Sequence, residues 1–158
     1  VRIRNATADD LEAILTLNAF VQRQHAEAMP QLFKQPTDSK QLVEAVRDIL
    51  KAPESLVLMA EDAEPVGYLY AEFQNRPASW VRLELQSLFV HHLVVAPKFR
   101  RCGVGTLLLS RAMDVARDNR ISRIELDVWA FNSEAKQFYA KHGFEVFNER
   151  MQRWINGS

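Results

Sequence analysis

Apolar and polar positions change their period several times along this chain, and each change marks an element. Val1 to Asn5 alternates and predicts a short first strand. Thr7-Ala8-Asp9-Asp10 reads as a helix start: Thr7 can cap, and the acids fall in the first turn, where the helix dipole favours them. Leu11, Ile14, Leu15 and Phe20 give that helix an apolar face. Pro30 and Pro36 bracket an irregular stretch, Gln31 to Thr37. A second helix is predicted from Ser39 to Lys51, with Leu42, Val43, Val46, Ile49 and Leu50 inward and Pro53 ending it. Ser55 to Glu61 and Val66 to Phe73 are strand-like, joined by a hairpin connection over Glu61 to Pro65. Gln74 to Arg82 is polar, contains Pro77 and reads as a loop.

Leu88 to Val95 is a long β-branched and aromatic run, the best candidate for a central strand. Gly103 to Asn119 is helical, with Val104, Leu108, Ala112 and Val115 on one face beside Leu109, Met113 and Ala116. Arg123 to Trp129 alternates, with Ile124, Leu126 and Val128 on one side and Arg123, Glu125 and Asp127 on the other. Asn132-Ser133-Glu134 opens a shorter helix carrying Ala135, Phe138, Tyr139 and His142, and Gly143 is placed to end it as a left-handed cap. Phe144 to Ile155 reads as a final strand or a tight hairpin. With no repeat or linker in view, this order predicts one α/β domain over residues 1–158 with a mixed sheet.

Composition narrows the function classes. The 20 Lys plus Arg balance 20 Asp plus Glu, so the net charge gives no electrostatic footprint for nucleic acid or an anionic membrane, and neither is expected as a partner. Cys102 is the single cysteine, which excludes an internal disulfide and thiolate metal clusters. Neighbouring His91 and His92, with the other histidines distant in sequence, offer no metal-ligand spacing, so no metal is expected. Val1-Arg2-Ile3-Arg4 leads into no apolar stretch, and apolar runs such as Leu56 to Ala60 are only strand-long. No secretory signal is therefore expected, and the cytoplasm is the expected compartment.

The chemistry gathers in Val95-Ala96-Pro97-Lys98-Phe99-Arg100-Arg101-Cys102-Gly103-Val104-Gly105-Thr106. A strand ends, Pro97 turns the chain, and two glycines stand where a long helix begins. Glycine lets backbone approach a ligand closely. The first amides of a helix lack internal partners and carry partial positive charge, which suits a phosphate. Arg100 and Arg101 add cationic charge, so a diphosphate is the natural guest. Taken alone, the glycines fit a plain tight turn equally well. Gly103-Val104-Gly105 also begins a dinucleotide pattern, with Glu125 or Asp127 near the place of a ribose-binding acid. Against that, Leu108 occupies the third glycine position and too little chain follows; Thr106-Leu107 lacks the Lys-Ser/Thr pair of a triphosphate loop.

Arg100 to Gly105 matches Arg/Gln-x-x-Gly-x-Gly/Ala, the core signature of the GNAT N-acetyltransferases, and the chain resembles that family in other places. Leu93-Val94-Val95-Ala96-Pro97 resembles the strand before the signature, and Ile3 to Leu11 the usual opening. Asn132 to Phe144 looks like the family segment Asn-x-x-Ala-x-x-Phe-Tyr-x-x-x-Gly-Phe. The resemblance implies a mixed, mostly antiparallel central sheet with a splayed parallel strand pair and helices on both faces. It also implies acetyl-CoA as co-substrate, a small-molecule or peptide amine as acceptor, and a possible homodimer.

Site roles follow from the same resemblance. Pantetheine is expected between the strands at Leu88–Val95 and Arg123–Trp129, bonded to the backbone of Leu93 and Val95 beside Val94. Amides of Cys102, Gly103, Val104, Gly105 and Thr106 would hold the pyrophosphate, with Arg100 and Arg101 near it. Asn132 would touch the pantetheine arm, with Ala135 and Phe138 packed beside it. The Leu93 N–H would stabilise charge on the carbonyl oxygen, and Tyr139 would protonate the leaving thiolate. His91 and His92 occupy the stretch where relatives often carry a carboxylate, and each reads either as the base or as a hydrogen-bonded structural residue; His91 is the base candidate carried forward. Strand neighbours point to opposite faces, so at most one of the two is expected to face the acceptor. His25 and His142 read as structural or surface residues, Cys102 as a bystander. Trp80, Phe89, Trp129 and Trp154 read as packing or cleft walls rather than a base-stacking platform, and a non-catalytic acyl-CoA-binding module is the competing class.

Overall fold

The computed structural model describes residues 1–155, in which two compact units meet at Asp127 and Val128. The first unit is built on a five-stranded sheet in the order β1-β2-β3-β4-β5: Arg2–Asn5, Ser55–Glu61, Pro65–Arg76, Leu85–Val95 and Ile124–Leu126. Neighbouring strands are antiparallel except β4 and β5, which run parallel. Helices α1 (Leu11–Ala28) and α2 (Lys40–Lys51) precede β2, and α3 (Val104–Asp118) connects β4 to β5.

Each face of the sheet has its own core. Leu56, Leu58, Ala60, Leu69, Ala71, Leu88 and Val90 pack with Val104, Leu108 and Ala112 of α3. Val57, Met59, Tyr68, Tyr70 and Val94 pack with Ile14 and Leu17 of α1 and Val46 of α2. Consecutive residues of β2 therefore serve opposite cores, and Leu58, Met59 and Ala60 are fully buried. Each large apolar side chain so buried contributes roughly 1.5–3 kcal/mol.

An ion-pair network ties the first strand to the first helix. The Arg4 guanidinium meets both oxygens of Asp10 at 2.7 and 2.8 Å and also Glu61 of β2 at 2.8 Å. Asp10 accepts from the Thr7 N–H at 2.7 Å, so the acid expected in the first turn satisfies a helix-entry donor as well. Arg4 holds the buried Asp10 carboxyl below its usual range, and Arg4 with Arg2 brings Glu61 down to about 2.

Several sequence expectations need correction. Gln74, Asn75 and Arg76 are not loop: they extend β3 and pair with Ser87, Gln86 and Leu85, which start β4 three residues before Leu88. The fifth strand ends at Leu126, since its only ladder partners are Leu88 to Val90, and Asp127 to Trp129 are outside it. Between β3 and β4 the register jumps from Tyr70↔His92 to Ala71↔Val90, leaving His91 as the extra residue of a β-bulge.

The second unit holds α4 (Ser133–Lys141), capped by the Asn132 side chain accepting from the Ala135 N–H at 3.1 Å. Gly143 has φ +82°, the left-handed stop expected there. Phe144 to Ile155 forms neither strand nor hairpin. A strand needs a partner edge for its N–H and C=O groups, and no described residue pairs with this run.

Gly67 fixes how closely β3 approaches β4. A Cβ there would stand 2.6 Å from the Val94 carbonyl oxygen, a backbone atom that moves only with the strand. Gly67→Ala is expected to destabilise the fold by about 2 kcal/mol, read as a lower urea midpoint with unchanged m-value; an unchanged midpoint would show that β4 yields freely.

Candidate functional site

The bulge reorders the side chains of β4. Leu88 and Val90 face the α3 core before it, and Leu93 and Val95 face that core after it, so the alternation gains one residue between them. On the opposite face stand Phe89, His91, His92 and Val94. The expectation that adjacent histidines must diverge is thus wrong here. Both rings lie against Tyr70: His91 stacks at 4.8 Å and 20° between planes, while His92 meets it edge-on at 5.6 Å.

The same bulge coincides with the divergence of the parallel pair. The β4–β5 ladder runs Leu88↔Ile124, Phe89↔Glu125, Val90↔Leu126 and stops. Beyond Val90, the β5 side of β4 has no ladder partner among the described residues, which leaves Leu93 to Val95 as an open backbone edge. In this structure the Val95 C=O accepts from Arg100 Nε at 3.3 Å.

That edge leads into the glycine turn. Ala96 N–H bonds Val66 C=O at 2.8 Å, Pro97–Phe99 makes one 3-10 turn, and α3 starts after Gly103. Gly103 has φ +82° with open space where a Cβ would stand, and Arg101 has φ +60°. Two left-handed residues in the span Arg101–Gly103 reverse the chain sharply, at an energetic cost for the non-glycine one. The first helical bond is Leu107 N–H to Gly103 C=O at 3.0 Å, so the amides of Val104 and Gly105 precede the ladder at the positive end of a 15-residue helix. Arg100, Arg101, Cys102 and Gly103 are exposed, Val104 is buried beneath the turn, and Thr106 is the next exposed position. The Cys102 thiol points to the Arg100 carbonyl at 3.5 Å. These features fit a pantetheine diphosphate: an open strand edge, then polarised amides and two arginines.

The opposite face carries the titratable groups. His92 Nδ1 lies 3.0 Å from the Tyr68 hydroxyl, which reaches Asn18 Oδ1 at 3.2 Å. Burial pushes His92 down to about 4, helped by His91 and His25, and raises Tyr68 far above a free phenol. A small apolar cavity of about 60 Å³ between α1, α2 and the sheet is lined by Ile14, Leu42, Val46 and Ile49 together with Tyr70 and His92. His91 Nε2 lies 2.9 Å from Glu72 Oε2, and the Tyr70 hydroxyl donates to Glu72 Oε1 at 2.5 Å. Sequence reasoning missed Glu72 because it is 19 residues from His91 and becomes its neighbour only through β3–β4 pairing. Glu125, buried on β5, is held ionised by Arg76 and by Arg123 at 3.2 Å against the burial that would raise it.

In the second unit, Asn132 Oδ1 accepts one bond in the α4 cap, and its amide N–H groups are donors it can offer a ligand. Phe138 and Tyr139 pack edge to face at 5.2 Å, and Tyr139 meets Phe144 at 5.4 Å. Burial raises the Tyr139 phenol to about 12, so it is protonated at neutral pH. Ala135 is half-buried on the same helix. His142 Nδ1 lies 2.8 Å from the Phe138 carbonyl, in keeping with a structural residue.

Comparison with known proteins gives these features a context. Residues 18–144 match the acetyltransferase (GNAT) family. An uncharacterised N-acetyltransferase of Methanocaldococcus jannaschii is 27% identical over 157 residues, which cover 97% of this chain and 64% of the relative. Streptothricin acetyltransferase A of Bacillus subtilis is 38% identical over 57 residues, 36% of this chain and 33% of that protein. This chain thus spans less than two thirds of either relative. The crystal structure of a tetramutant of a Bacillus halodurans protein superposes with TM-score 0.92 at 23% identity, covering 98% of this chain and all of that one. The likeness to that structure is one of fold. Among the described residues no helix is long and apolar enough to cross a membrane.

The burial of His92 has a measurable consequence. Its folded value of about 4 lies below the ordinary 6.5, so the unfolded chain binds the proton first as pH falls. Stability due to neutral His92 is complete above about pH 7 and declines between pH 6.5 and 4, by roughly 3 kcal/mol at the limit. Urea unfolding from pH 7 to 4 should show this slope, and His92→Gln should flatten it, leaving the smaller contribution of His25, also lowered by burial. An equal slope in both proteins would place His92 in water.

Proposed function

Because the chain belongs to the GNAT acetyltransferase family, we propose that it transfers an acetyl group from acetyl-CoA to a primary amine by direct attack, with residues 1–158 acting as one catalytic domain. The observation that carries this reading is the β4 edge at Leu93–Val95, which has no ladder partner on its β5 side among the described residues and leads through the glycine turn to the amides at the start of α3. An extended arm with a diphosphate at its end matches that sequence of binding groups: strand-type hydrogen bonds first, then an anion site.

Each residue has a role in the proposal. Backbone groups of Leu93 and Val95, flanking Val94, bond the pantetheine arm, and Arg100 releases the Val95 carbonyl on binding. Amides from Cys102 to Thr106 and the side chains of Arg100 and Arg101 hold the diphosphate. Asn132 donates to the arm through its amide, and Ala135 and Phe138 pack beside it. Acetyl-CoA supplies an activated thioester carbonyl. The Leu93 N–H stabilises the negative charge that develops on its oxygen.

An alkyl amine has a pKa near ~10, so it must lose a proton before its lone pair can attack. His91 takes that proton. The nitrogen adds to the carbonyl carbon, the tetrahedral adduct expels the thiolate as its C–S bond breaks, and Tyr139, protonated at neutral pH, gives its proton to that thiolate; the second nitrogen proton leaves to water, which returns one to the phenol. His92 is held neutral by burial and joined to Tyr68, so it is assigned to the wall of the acceptor side.

The assay is CoA thiol release from acetyl-CoA with lysine amide, glucosamine, spermidine and an aminoglycoside as acceptors. Acceptor-dependent release supports the reading; CoA binding with no release for any amine would instead make the chain a non-catalytic acyl-CoA-binding module. At 100 times its Kd, CoA should raise the wild-type melting temperature by roughly 5–10 °C. In Gly105→Glu, a carboxylate opposes the diphosphate at the start of α3, and that shift should disappear; its persistence would remove the turn as the anion site. Tyr139→Phe should lower kcat about tenfold with CoA affinity kept, and an unchanged rate with chemistry limiting would remove Tyr139 as the acid.

A further inference from the structure

Glu72 stands on the histidine-bearing face, and its two oxygens serve different kinds of partner. Oε1 accepts from the Tyr70 hydroxyl at 2.5 Å, and Oε2 lies 2.9 Å from His91 Nε2. Its neighbour Glu125 is engaged by two arginines instead. We infer that Glu72 is the positioning residue of the proton acceptor: it holds His91 as the Nε2–H tautomer, so that Nδ1 presents the lone pair that takes the amine proton. The inference rests on the acetyl-transfer reading above.

The tautomer follows from hydrogen-bond inventory. An ionised carboxylate only accepts, so the nitrogen facing it must carry hydrogen, and a neutral imidazole has just one such nitrogen. Glu72 stays ionised because the Tyr70 hydroxyl and then His91 lower it, against a burial effect that raises it. The ring is also fixed in plane. Tyr70 stacks on it at 4.8 Å, and Phe89 tilts against it at 4.9 Å. Tyr70 thus acts twice, pinning the carboxylate with its hydroxyl and the imidazole with its ring.

The bulge makes this arrangement possible. Glu72 pairs with Phe89, and the inserted His91 projects over the face where Tyr70 and Glu72 already stand. The groups surrounding it are Glu72 and Tyr70 of β3 and His92 of β4, with His25 of α1 acting on His92 and Glu54 on Tyr70. His92 cannot replace it, because its Nδ1 is joined to Tyr68 and its ring is largely buried. When the proton arrives at Nδ1, the imidazolium forms beside an existing carboxylate, and the proton leaves from the same atom to water. No bond to Glu72 breaks at any point.

Two measurements on the full chain test this. Long-range ¹H–¹⁵N correlation at neutral pH should show His91 as the Nε2–H tautomer in wild type and a tautomer mixture in Glu72→Gln. Glu72→Asp, which shortens the reach, should give the same mixture if the amide variant fails to fold. With whichever of lysine amide, glucosamine or spermidine releases thiol fastest, Glu72→Gln should lower kcat about 10-fold and His91→Gln about 100-fold. Neither should change the KM for acetyl-CoA. The double variant should be no slower than His91→Gln alone, because Glu72 acts only through that ring. A wild-type Nδ1–H tautomer, or rate losses that multiply in the double variant, would overturn the inference. Thiol release from no amine would count against the acetyl-transfer reading itself, while the tautomer would still decide whether Glu72 holds His91.

Discussion

One inserted residue in a central strand governs both halves of this site. With His91 bulged out of the β3–β4 ladder, β4 exchanges the faces of its remaining side chains. Leu93 and Val95 turn onto α3, which fills the core under the glycine turn. Two histidines turn together onto the other face. A regular strand would put His91 and Leu93 on one side and His92 on the other, and neither the paired histidines nor the α3 packing would survive. A bulge also bends its strand and increases local twist. Here the parallel ladder to β5 ends at Val90, immediately before the inserted residue.

Divergence of a parallel pair is costly unless something satisfies the freed backbone groups. In this structure Arg100 covers one of them by donating to the Val95 carbonyl, and it does so from an exposed position that a ligand can displace. The open edge and the first turn of α3 are continuous in the chain, so their spacing is set by the eight residues Ala96 to Gly103 rather than by long-range packing. Gly67 reinforces this from the other side. Its missing side chain lets β3 lie close against Val94, so the edge facing away from β3 is backed by rigid structure.

Carboxylates separate by what they meet. Asp10 and Glu125 are buried and each is matched by arginine, which is how a buried charge is tolerated, and both serve as anchors. Glu72 is only partly buried and has a phenol and an imidazole for partners in place of arginines. Tyr68 and His92 form a further polar pair within an apolar wall, and burial keeps both neutral. The face opposite α3 therefore combines an apolar cavity with an exposed histidine, His91.

Local features were legible in the sequence. Period and capping residues located the helices and most of the sheet, because Ser39, Asn132 and Gly143 act on backbone groups within a few residues of themselves. The Arg100–Thr106 turn was readable for the same reason: glycine conformation and the polarised amides of a helix start are properties of one short segment. Contacts across strands were not readable. Leu88 to Val95 is apolar toward both cores, so its pattern carries no phase, and only hydrogen bonding to β3 decides that His91 is the additional residue. Polar Gln74 to Arg76 resembles a loop until Leu85 to Ser87 supply its partners, and Phe144 to Ile155 resembles a strand but has no described edge to join. The sequence determined where the glycine turn lies and which family the chain resembles. Tertiary structure decided which histidine meets which carboxylate, since strand register is fixed by residues distant in the chain that must satisfy one another's backbone.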